Sequence, residues 1–327
     1  MVSGYFIDTV ATSSGAPADE FLYVSNWDRY FGEIGDKFMA LSEKDQSVRT
    51  HFGCDPPAVA LRVALGTLLM DIYQRRLIPP LVYRLNRCNS NDVDVLTHFV
   101  ESLNALREPV SESAYISTLL YYLIVYSEMW EKTTPDQQEM TARFMGSRIS
   151  TGLVYQAKPP YCAFSKEKSD SCDEFEVGNY AAKGIIYERD QYWNKTATIP
   201  NNTSDLMCSG GLDPQTPPYV AESFFRALEG DNKELVSFDY IPHSSLGSSF
   251  MVDGDQESST CGIKLLASYI MNDGDLKRLN RTCLDETPPF SLTIPLELMH
   301  SFMRTDDTYD GIYKTSLSIE RPQGMGY

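Results

Sequence analysis

An aspartate and a histidine occupy equivalent positions in two successive segments of this sequence. Asp213 lies in "CSGGLDPQTPP", directly after a short apolar run, and His243 follows "FDYIP". One predicted helix and one predicted strand separate them. In an acyl-transfer triad a carboxylate holds the histidine in the right tautomer and stabilises its protonated form, so the two groups must lie on neighbouring strand ends. The spacing of Asp213 and His243 meets this requirement.

Each of the two residues also has a simpler interpretation. An aspartate in Gly-Leu-Asp-Pro commonly stabilises a turn by bonding its own backbone, and a histidine after a strand is commonly a surface or capping residue. Asp213 and His243 each lie just past a predicted strand, and one βα unit separates them. This arrangement favours the catalytic interpretation. A purely structural protein would instead place Asp213 and His243 far apart.

The elements around this pair predict an α/β protein. The run "GYFIDTV" is apolar and β-branched, ends near a Thr-Ser-Ser-Gly turn, and predicts a buried strand. Further strands are predicted from Leu206 to Cys208 and in "ELVSFDYIP", with helices in "PPYVAESFFRALEG" and "TCGIKLLASYIMNDGDLKRLN". This alternation is typical of a doubly wound, mostly parallel sheet. Functional groups of such sheets gather in the loops at the carboxyl ends of the strands.

A long helical insertion is predicted between the first strand and the others. The apolar spacing in "FGEIGDKFMALSEKDQSV", "AVALRVALGTLLMDIYQRR" and "VDVLTHFVESLNAL" is helical. We therefore expect residues 16–113 to form a helical lid, and residues 1–15 and 114–327 to form the core. The run "YISTLLYYLIVYSEMW" is expected to be a core strand, although periodicity alone does not separate strand from helix here. Residues 131–150 predict a helix that begins after Pro135.

Composition excludes several classes of partner. The net charge is −17, with 45 acidic and 28 basic residues, and this balance opposes binding to nucleic-acid phosphates and to anionic lipid. No run approaches the ~20 apolar residues that a membrane-spanning helix needs. The seven cysteines have no CxxC spacing and there are only four histidines, which argues against a zinc site. We expect neither a metal nor an organic cofactor, and the oligomeric state stays open.

Cysteines and glycosylation motifs favour a secreted or luminal protein. Seven cysteines are ordinary in an oxidising compartment. The pattern Asn-X-Ser/Thr, an acceptor of N-glycans in secreted proteins, occurs at Asn194, Asn201, Asn202 and Asn280. The first residues, "MVSGYFIDTVATSSG", carry no signal-peptide pattern. We therefore expect the chain to have lost a front segment.

The two candidate segments resemble a known family of enzymes. "CSGGLDPQTPPYVAESF" resembles the segment around the catalytic acid of α/β-hydrolase-fold serine exopeptidases, in the tripeptidyl-aminopeptidase-like and proline-iminopeptidase-like branch, where Gly-X-X-Asp-Pro-X-Thr-Pro is common. "FDYIPHSSLGS" is similar to the segment of the catalytic histidine, and "GYFIDTVATSSGA" to the strand that leads into the lid. The resemblance spans most of the chain but corresponds only to the carboxyl-terminal half of the family. It implies that Asp213 is the acid, His243 the base, and a peptide or small ester the substrate.

The sequence departs from this family at the nucleophile. The family's serine lies on a Gly-X-Ser-X-Gly elbow upstream of the lid, and no such motif occurs in this sequence. We expect the elbow and the oxyanion hole to precede Met1. Because loss of one oxyanion donor already costs ~2.7–4 kcal/mol in the transition state, the chain alone is expected to be inactive. It is then either a truncated exopeptidase or a non-catalytic binding protein on the same scaffold.

Other residues offer alternative nucleophiles. Cys54 lies between turn-forming residues, and a Cys–His pair is a known catalytic arrangement. A disulfide between Cys54 and Cys88 explains the same residue equally well. Ser14, Ser209 and Ser244 lie near predicted strand ends, but none of them occupies an elbow.

Glu128 is a candidate for substrate binding. It follows the apolar run in "VYSEMW" and would pair with the free amino group of a peptide, because a desolvated ammonium group needs an acidic partner. The alternative is a glutamate exposed at the end of a strand.

Two further disulfides are predicted. Cys162 and Cys172 would close a small loop, and the family resemblance suggests a bridge between Cys261 and Cys283. Because seven cysteines cannot all pair, at least one thiol must stay free, and the buried Cys208 is the candidate.

Overall fold

A parallel sheet of three strands forms the centre of the computed structural model. The structure describes residues 2–16, 21–42, 59–106, 117–152, 156–175 and 182–317. The strands are β1 (Gly4–Asp8), β2 (Ser204–Gly210) and β3 (Lys233–Phe238), adjacent in that order and parallel throughout. The chain is thus an α/β protein with its strands where the sequence predicted them, and β2 is buried along its whole length.

Helices account for most of the remaining described structure. In chain order they are α1 (Trp27–Ser42), α2 (Val59–Leu69), α3 (Ile78–Arg87), α4 (Ser90–Leu106), α5 (Thr118–Glu128), α6 (Gln137–Gly146), α7 (Lys158–Ser165), α8 (Asp170–Asp173), α9 (Pro218–Ala227), α10 (Ser245–Ser248), α11 (Cys261–Met271), α12 (Thr282–Asp285) and α13 (Leu296–Met303). Short 3-10 turns occur at Val24–Asn26, Gln74–Leu77 and Leu276–Arg278. Helices α1 to α8 therefore lie between β1 and β2 in the chain. No helix in the described ranges is long and apolar enough to cross a bilayer.

Local sequence signals explain where several helices begin. The Asp136 side chain accepts a hydrogen bond from the Glu139 amide at 2.7 Å and caps α6. Pro218 occupies the first turn of α9, where its missing amide proton costs nothing. Thr260 caps α11 by accepting a hydrogen bond from the Ile263 amide. The predicted helices at these three places are confirmed.

The two faces of the sheet pack against different helices, because alternate side chains of a strand point to opposite sides. One face contributes apolar side chains to a cluster with α11, namely Phe6, Leu206, Cys208, Val236 and Phe238. The other face contributes Ile7 and Leu235 to a cluster with residues of α1 and α9. The sheet is covered on both sides, as is usual for parallel strands.

The predicted core strand in "YISTLLYYLIVYSEMW" is wrong, because Thr118–Glu128 of this run form α5. Ser117 caps the helix by accepting a hydrogen bond from the Leu120 amide. Tyr122 and Tyr126, four residues apart, stack with their ring centroids 5.1 Å apart, as neighbours on one helix face do. The two halves of this apolar run differ in burial. Tyr126 is buried, whereas Leu119 is 57% exposed.

Helical structure extends well past residue 113, the predicted end of the lid. Helices α5 to α8 continue it to Asp173, so that β2 is the next strand in the described ranges. Phe99 of α4 packs against Phe302 of α13, with ring centroids 6.0 Å apart. One hydrophobic cluster therefore joins residues from the predicted lid to residues from the predicted core.

Two disulfide bridges fix loops of the structure. Cys162–Cys172 joins α7 to α8, and Cys261–Cys283 joins α11 to α12, which confirms both predicted pairs. Cys208 is free and buried, as expected for the unpaired thiol, and its burial raises its pKa. Cys88 has a free and exposed thiol, and Cys54 lies outside the described residues.

Candidate active site

The turn after β2 lies directly against the loop after β3. The Gly211 amide donates a hydrogen bond to the Phe238 carbonyl oxygen at 2.7 Å, and the Leu212 amide donates to the Ile241 carbonyl oxygen at 3.1 Å. The Asp213 amide closes the turn on the Gly210 carbonyl oxygen at 3.3 Å. These bonds bring the residues just before Asp213 next to those just before His243.

The paired glycines of "SGGLD" are required by this close approach. A Cβ atom on Gly210 would lie 2.4 Å from the carbonyl oxygens of Ile241 and Pro242. A Cβ atom on Gly211 would lie 2.5 Å from the carbonyl oxygen of Asp239. Neither distance is tolerated by a real side chain. Glycine at both positions therefore lets the two loops meet.

Asp213 is fully buried and has four hydrogen-bond donors around its carboxylate. Its Oδ1 accepts from the Gln215 amide at 2.8 Å and from the Thr216 amide at 3.0 Å. Its Oδ2 accepts from the Thr216 hydroxyl and lies 2.9 Å from Nδ1 of His243. A buried carboxylate needs such partners, because a desolvated charge is costly without them. The aspartate thus stabilises its own turn and also binds the histidine.

The imidazole of His243 is held by the Asp213 carboxylate. Its Nδ1 faces the Asp213 carboxylate, so the geometry of the ring directs Nε2 away from it, and the side chain is 35% exposed. Burial disfavours the charged imidazole, but the hydrogen bond and charge of Asp213, together with the charge of Asp8, raise the pKa of His243 above its usual value. Sequence reasoning predicted this pair, and its distance excludes the wide separation expected of a purely structural role.

Asp8 is a second acidic residue at the site, and sequence reasoning missed it. It is the last residue of β1, and its carboxylate accepts hydrogen bonds from the Ser245 amide at 3.1 Å and the Leu246 amide at 2.9 Å. Burial raises the pKa of Asp8. These bonds attach the loop that follows His243 to the end of β1. The only sequence signal was a polar residue that closes the apolar run "GYFID".

Thr216 and Trp27 support the turn that carries Asp213. The Thr216 hydroxyl binds the carboxylate and lies 3.4 Å from Nδ1 of His243. The indole Nε1 of Trp27 donates a hydrogen bond to the Gln215 carbonyl oxygen at 2.9 Å. The first residue of α1 is therefore connected to the turn across the fold. Neither contact could be read from spacing alone.

Glu128 lies at the C-terminal end of α5, not at a strand end. Its carboxylate accepts a hydrogen bond from the Tyr187 hydroxyl, and burial together with this carboxylate raises the pKa of Tyr187 to about 12. The Trp193 indole donates to the Glu128 carbonyl oxygen at 3.1 Å. Glu128 therefore belongs to an aromatic cluster, and its pairing with a substrate amine stays a prediction.

The alternative nucleophiles differ in their surroundings. Ser209 is buried within β2, where it does not reach solvent. Ser244 directly follows His243 and has a left-handed backbone with φ of 65°. Ser14 is partly buried in the loop after β1. Nothing in this arrangement gives one of them the strand-to-helix elbow of a serine nucleophile.

The four glycosylation motifs lie at or near the surface. Asn201, Asn202 and Asn280 are exposed, and Asn194 is partly buried. The Oδ1 of Asn280 accepts hydrogen bonds from the amide and the hydroxyl of Thr282, at 3.0 and 2.8 Å. The Asn280 motif thus presents its asparagine in an ordered turn.

The site is composed of acidic groups, one imidazole and backbone amides. Within the described ranges no group of three His, Cys, Asp or Glu side chains is placed to hold a metal ion. The arrangement can accept a proton at Nε2 of His243 and stabilise the resulting charge. Comparison of the chain with protein-family models, with curated proteins and with solved structures finds no match.

Proposed function

We propose that Asp213 and His243 are the acid and base of a serine-type hydrolase of the α/β-hydrolase fold, with an exopeptidase-like preference for peptides or small esters. The observation that carries this proposal is the 2.9 Å contact between Nδ1 of His243 and Oδ2 of Asp213. The contact joins the loops at the carboxyl ends of two adjacent parallel strands. This is where α/β enzymes collect their functional groups.

Three further features support the proposal. The carboxylate is buried and hydrogen-bonded, whereas the imidazole is partly exposed. The acid follows β2 and the histidine follows β3, which is the chain order of acid and base in α/β-hydrolases. The helices between β1 and β2 occupy the place of the lid in the family that the sequence resembles.

His243 would act at Nε2 in this proposed reaction. It would take the proton of an attacking hydroxyl and later give it to the leaving amine, while Asp213 holds the ring and stabilises the imidazolium. The 327 residues contain no Gly-X-Ser-X-Gly motif. A complete triad therefore requires a nucleophilic serine from a segment outside them. Glu128 is proposed to bind the free amino group of the substrate.

A secreted or luminal location belongs to the same proposal. The two disulfide bridges are compatible with an oxidising compartment. Four glycosylation motifs in partly or fully exposed positions support it. An exopeptidase in such a compartment would act on extracellular or luminal peptides.

The base can be tested without a serine. Imidazole attacks activated esters directly, so the chain should accelerate the hydrolysis of p-nitrophenyl acetate through His243. We expect His243→Gln to remove most of this acceleration and Asp213→Asn to reduce it. Both losses should be smaller than the ~10²–10⁴-fold that a base contributes in a complete site. His300→Gln is the matched control, since His300 is a partly buried histidine on α13.

Equal rates for the wild type and His243→Gln would contradict the proposed role of the base. A separate experiment addresses the nucleophile, with a serine-directed fluorophosphonate probe and aminoacyl-coumarin substrates. Labelling and turnover would favour an active enzyme. Ester hydrolysis that depends on His243, without labelling, would favour the second candidate function, a non-catalytic binding protein on the same scaffold. The absence of a Gly-X-Ser-X-Gly motif favours this second candidate.

A further inference from the structure

A buried arginine lines a pocket close to the loop that carries His243. Arg75 lies in the 3-10 turn Gln74–Leu77 and is 2% exposed. Its Nη2 donates a hydrogen bond to the Tyr240 carbonyl oxygen at 2.6 Å. Its Nε and Nη1 are buried and have no hydrogen-bond partner among the described residues. A guanidinium carries five donors, all of which need acceptors when they leave water.

The neighbouring carboxylates leave two donors of Arg75 without an acceptor. The one carboxylate at this pocket, that of Asp253, is bound by Arg76, which also donates to the Thr293 carbonyl oxygen at 2.7 Å. The Asp71 carboxylate accepts from the amides of Tyr73 and Gln74, at 2.8 and 2.7 Å. Burial and the charge of Arg76 lower the pKa of Arg75 to about 9. Both carboxylates near Arg75 thus have other hydrogen-bond partners, and neither accepts a hydrogen bond from its Nε or Nη1.

The pocket in front of Arg75 has room for a small ligand. Its walls include the aromatic rings of Tyr73, Tyr240, Phe250 and Phe290, and the Arg75 guanidinium lies 5.7 Å from the centre of the Phe290 ring. The cavity volume is about 30 Å³. One water needs roughly 10–15 Å³ on such a measure, so the space fits a single small ion or one carboxylate group. It does not fit a large ligand.

We infer that this pocket binds a small anion, either chloride or the carboxylate of a small organic acid, through the unpartnered donors of Arg75. An anion is the ligand that supplies what the site lacks, because it accepts hydrogen bonds from the buried Nε and Nη1 donors of Arg75. Charge-assisted hydrogen bonds of this kind are stronger than neutral ones. The inference is independent of the proposed hydrolase function.

The bound anion would join parts of the chain that are distant in sequence. Arg75 follows α2 in the helical insertion, and Tyr240 lies three residues before His243. Pro288 and Phe290, which also line the pocket, follow α12. The anion would therefore hold the helical insertion against the loop of the candidate base. Its binding should stabilise the folded protein by RT ln(1 + L/Kd), where L is the anion concentration.

Thermal unfolding tests this inference. The melting temperature is measured against increasing sodium chloride and, separately, sodium formate, with sodium HEPES added to keep the ionic strength constant. We expect the Tm of the wild type to rise with anion concentration, and to follow its logarithm once the concentration exceeds Kd. Arg75→Met should lose this rise, whereas Arg75→Lys should retain a weaker one. The matched control is Arg29→Met, because Arg29 is an arginine whose side chain is 67% exposed.

The two salts distinguish the source of the anion. A similar rise with chloride and formate indicates a general small-anion site, and a rise with formate alone indicates a carboxylate site. An equal rise in wild type and Arg75→Met would overturn the inference. If Arg75→Met does not fold, the inference is tested on the wild type alone by NMR. The line widths of the ³⁵Cl and [¹³C]formate resonances are measured with the protein, and each anion is then displaced by an excess of the other. Broadening that the competitor reverses supports the site, and the inference fails if neither resonance broadens.

Discussion

At the scale of single residues, the protonation of His243 is set by competing effects. Burial disfavours the imidazolium, and the carboxylates of Asp213 and Asp8 favour it. The net result is a raised pKa, so the acidic partners prevail. A carboxylate that accepts a hydrogen bond from the imidazolium stabilises it more than a carboxylate that acts through its charge alone. The contribution of Asp213 should therefore exceed that of Asp8.

We predict that Asp213→Asn lowers the pKa of His243 strongly and that Asp8→Asn lowers it less, because each change removes a negative charge near the ring. The measurement is an NMR titration of the histidine ring resonances, which only four histidines make tractable. Asp231→Asn is the control, since this exposed residue precedes β3, at the opposite end of the strand from His243. An unchanged pKa in Asp213→Asn would contradict the assignment of the pair.

The raised pKa of His243 also predicts a pH dependence of stability. A histidine whose pKa is higher in the folded than in the unfolded protein stabilises the fold when protonated. This contribution is complete below the unfolded value of ~6.5 and is lost as the pH rises through the folded pKa. We therefore expect His243→Gln to lower the free energy of unfolding more at acidic than at alkaline pH. Urea titrations on either side of the folded pKa measure this, and equal losses at both would refute it.

The sequence was sufficient to predict Asp213 and His243 but not the residues that support them. Both follow apolar runs with turn residues around them, and one βα unit relates them, so topology alone brings them together. Asp8 acts through two hydrogen bonds to the loop after His243, and Thr216 through two hydrogen bonds to the Asp213 carboxylate. Such contacts depend on exact loop paths, which composition and periodicity do not specify.

At the scale of elements, the turn after β2 and the loop after β3 form one unit through Gly210 and Gly211. We predict that Gly210→Ala destabilises the protein by about 1–3 kcal/mol, the range for inserting a methyl group into a packed site. It should also lower the pKa of His243, because the loop must move away from Asp213. Chemical denaturation and the same NMR titration measure both effects.

Gly146→Ala is the matched control for this change. Nothing lies within 4 Å of a Cβ atom placed on Gly146, at the end of α6. Alanine there should be neutral or slightly stabilising. If Gly210→Ala behaves in the same way, the close approach of the two loops does not determine the geometry of the pair.

The two disulfides should stabilise the fold to different extents. They close loops with sequence separations of 10 and 22 residues. In the chain-entropy account, removal of either costs about 3 kcal/mol, and the longer loop costs about 0.7 kcal/mol more. We therefore expect the Cys261→Ala/Cys283→Ala pair to lower the urea midpoint more than Cys162→Ala/Cys172→Ala. The reverse order would show that native-state contacts outweigh loop entropy here.

The prediction for α5 failed at this scale for a physical reason. Its run is apolar throughout, so neither a two-residue nor a 3.6-residue hydrophobic period stands out. The informative signal was the aromatic residues repeated every four positions, Tyr122, Tyr126 and Trp130. Tyr122 stacks on Tyr126, and the Tyr126 ring meets Trp130 edge-on at 5.5 Å. Helix length and capping, rather than hydrophobicity, decide such cases.

At the scale of the whole molecule, the main surface features are an excess of acidic residues and the glycosylation motifs. We predict that the protein expressed through a secretory pathway carries N-glycans and shifts in mass on enzymatic deglycosylation. Asn280→Gln should remove one glycan, because the ordered turn with Thr282 exposes the side chain of Asn280. Mass spectrometry measures this shift. An unmodified protein would argue against the secreted location.

The parallel sheet and its flanking helices were predictable because strand and helix patterns alternate cleanly after residue 204. The way in which the helices group into clusters could not be predicted from the sequence. Hydrophobic clusters connect α4 with α13 and the helical insertion with Leu212, just before Asp213. Sequence order cannot reveal which distant helices share a cluster. The predicted boundary of the lid at residue 113 depended on sequence order alone.

The contact between Trp27 and the Gln215 carbonyl oxygen has an optical consequence. The chain has three tryptophans, and one of these indoles touches the backbone two positions beyond the candidate acid. With Trp130 and Trp193 replaced by phenylalanine, Trp27 becomes a local fluorophore beside the turn that carries Asp213. Ligand entry or displacement of that turn would then change the colour and intensity of the emitted light, without any attached dye.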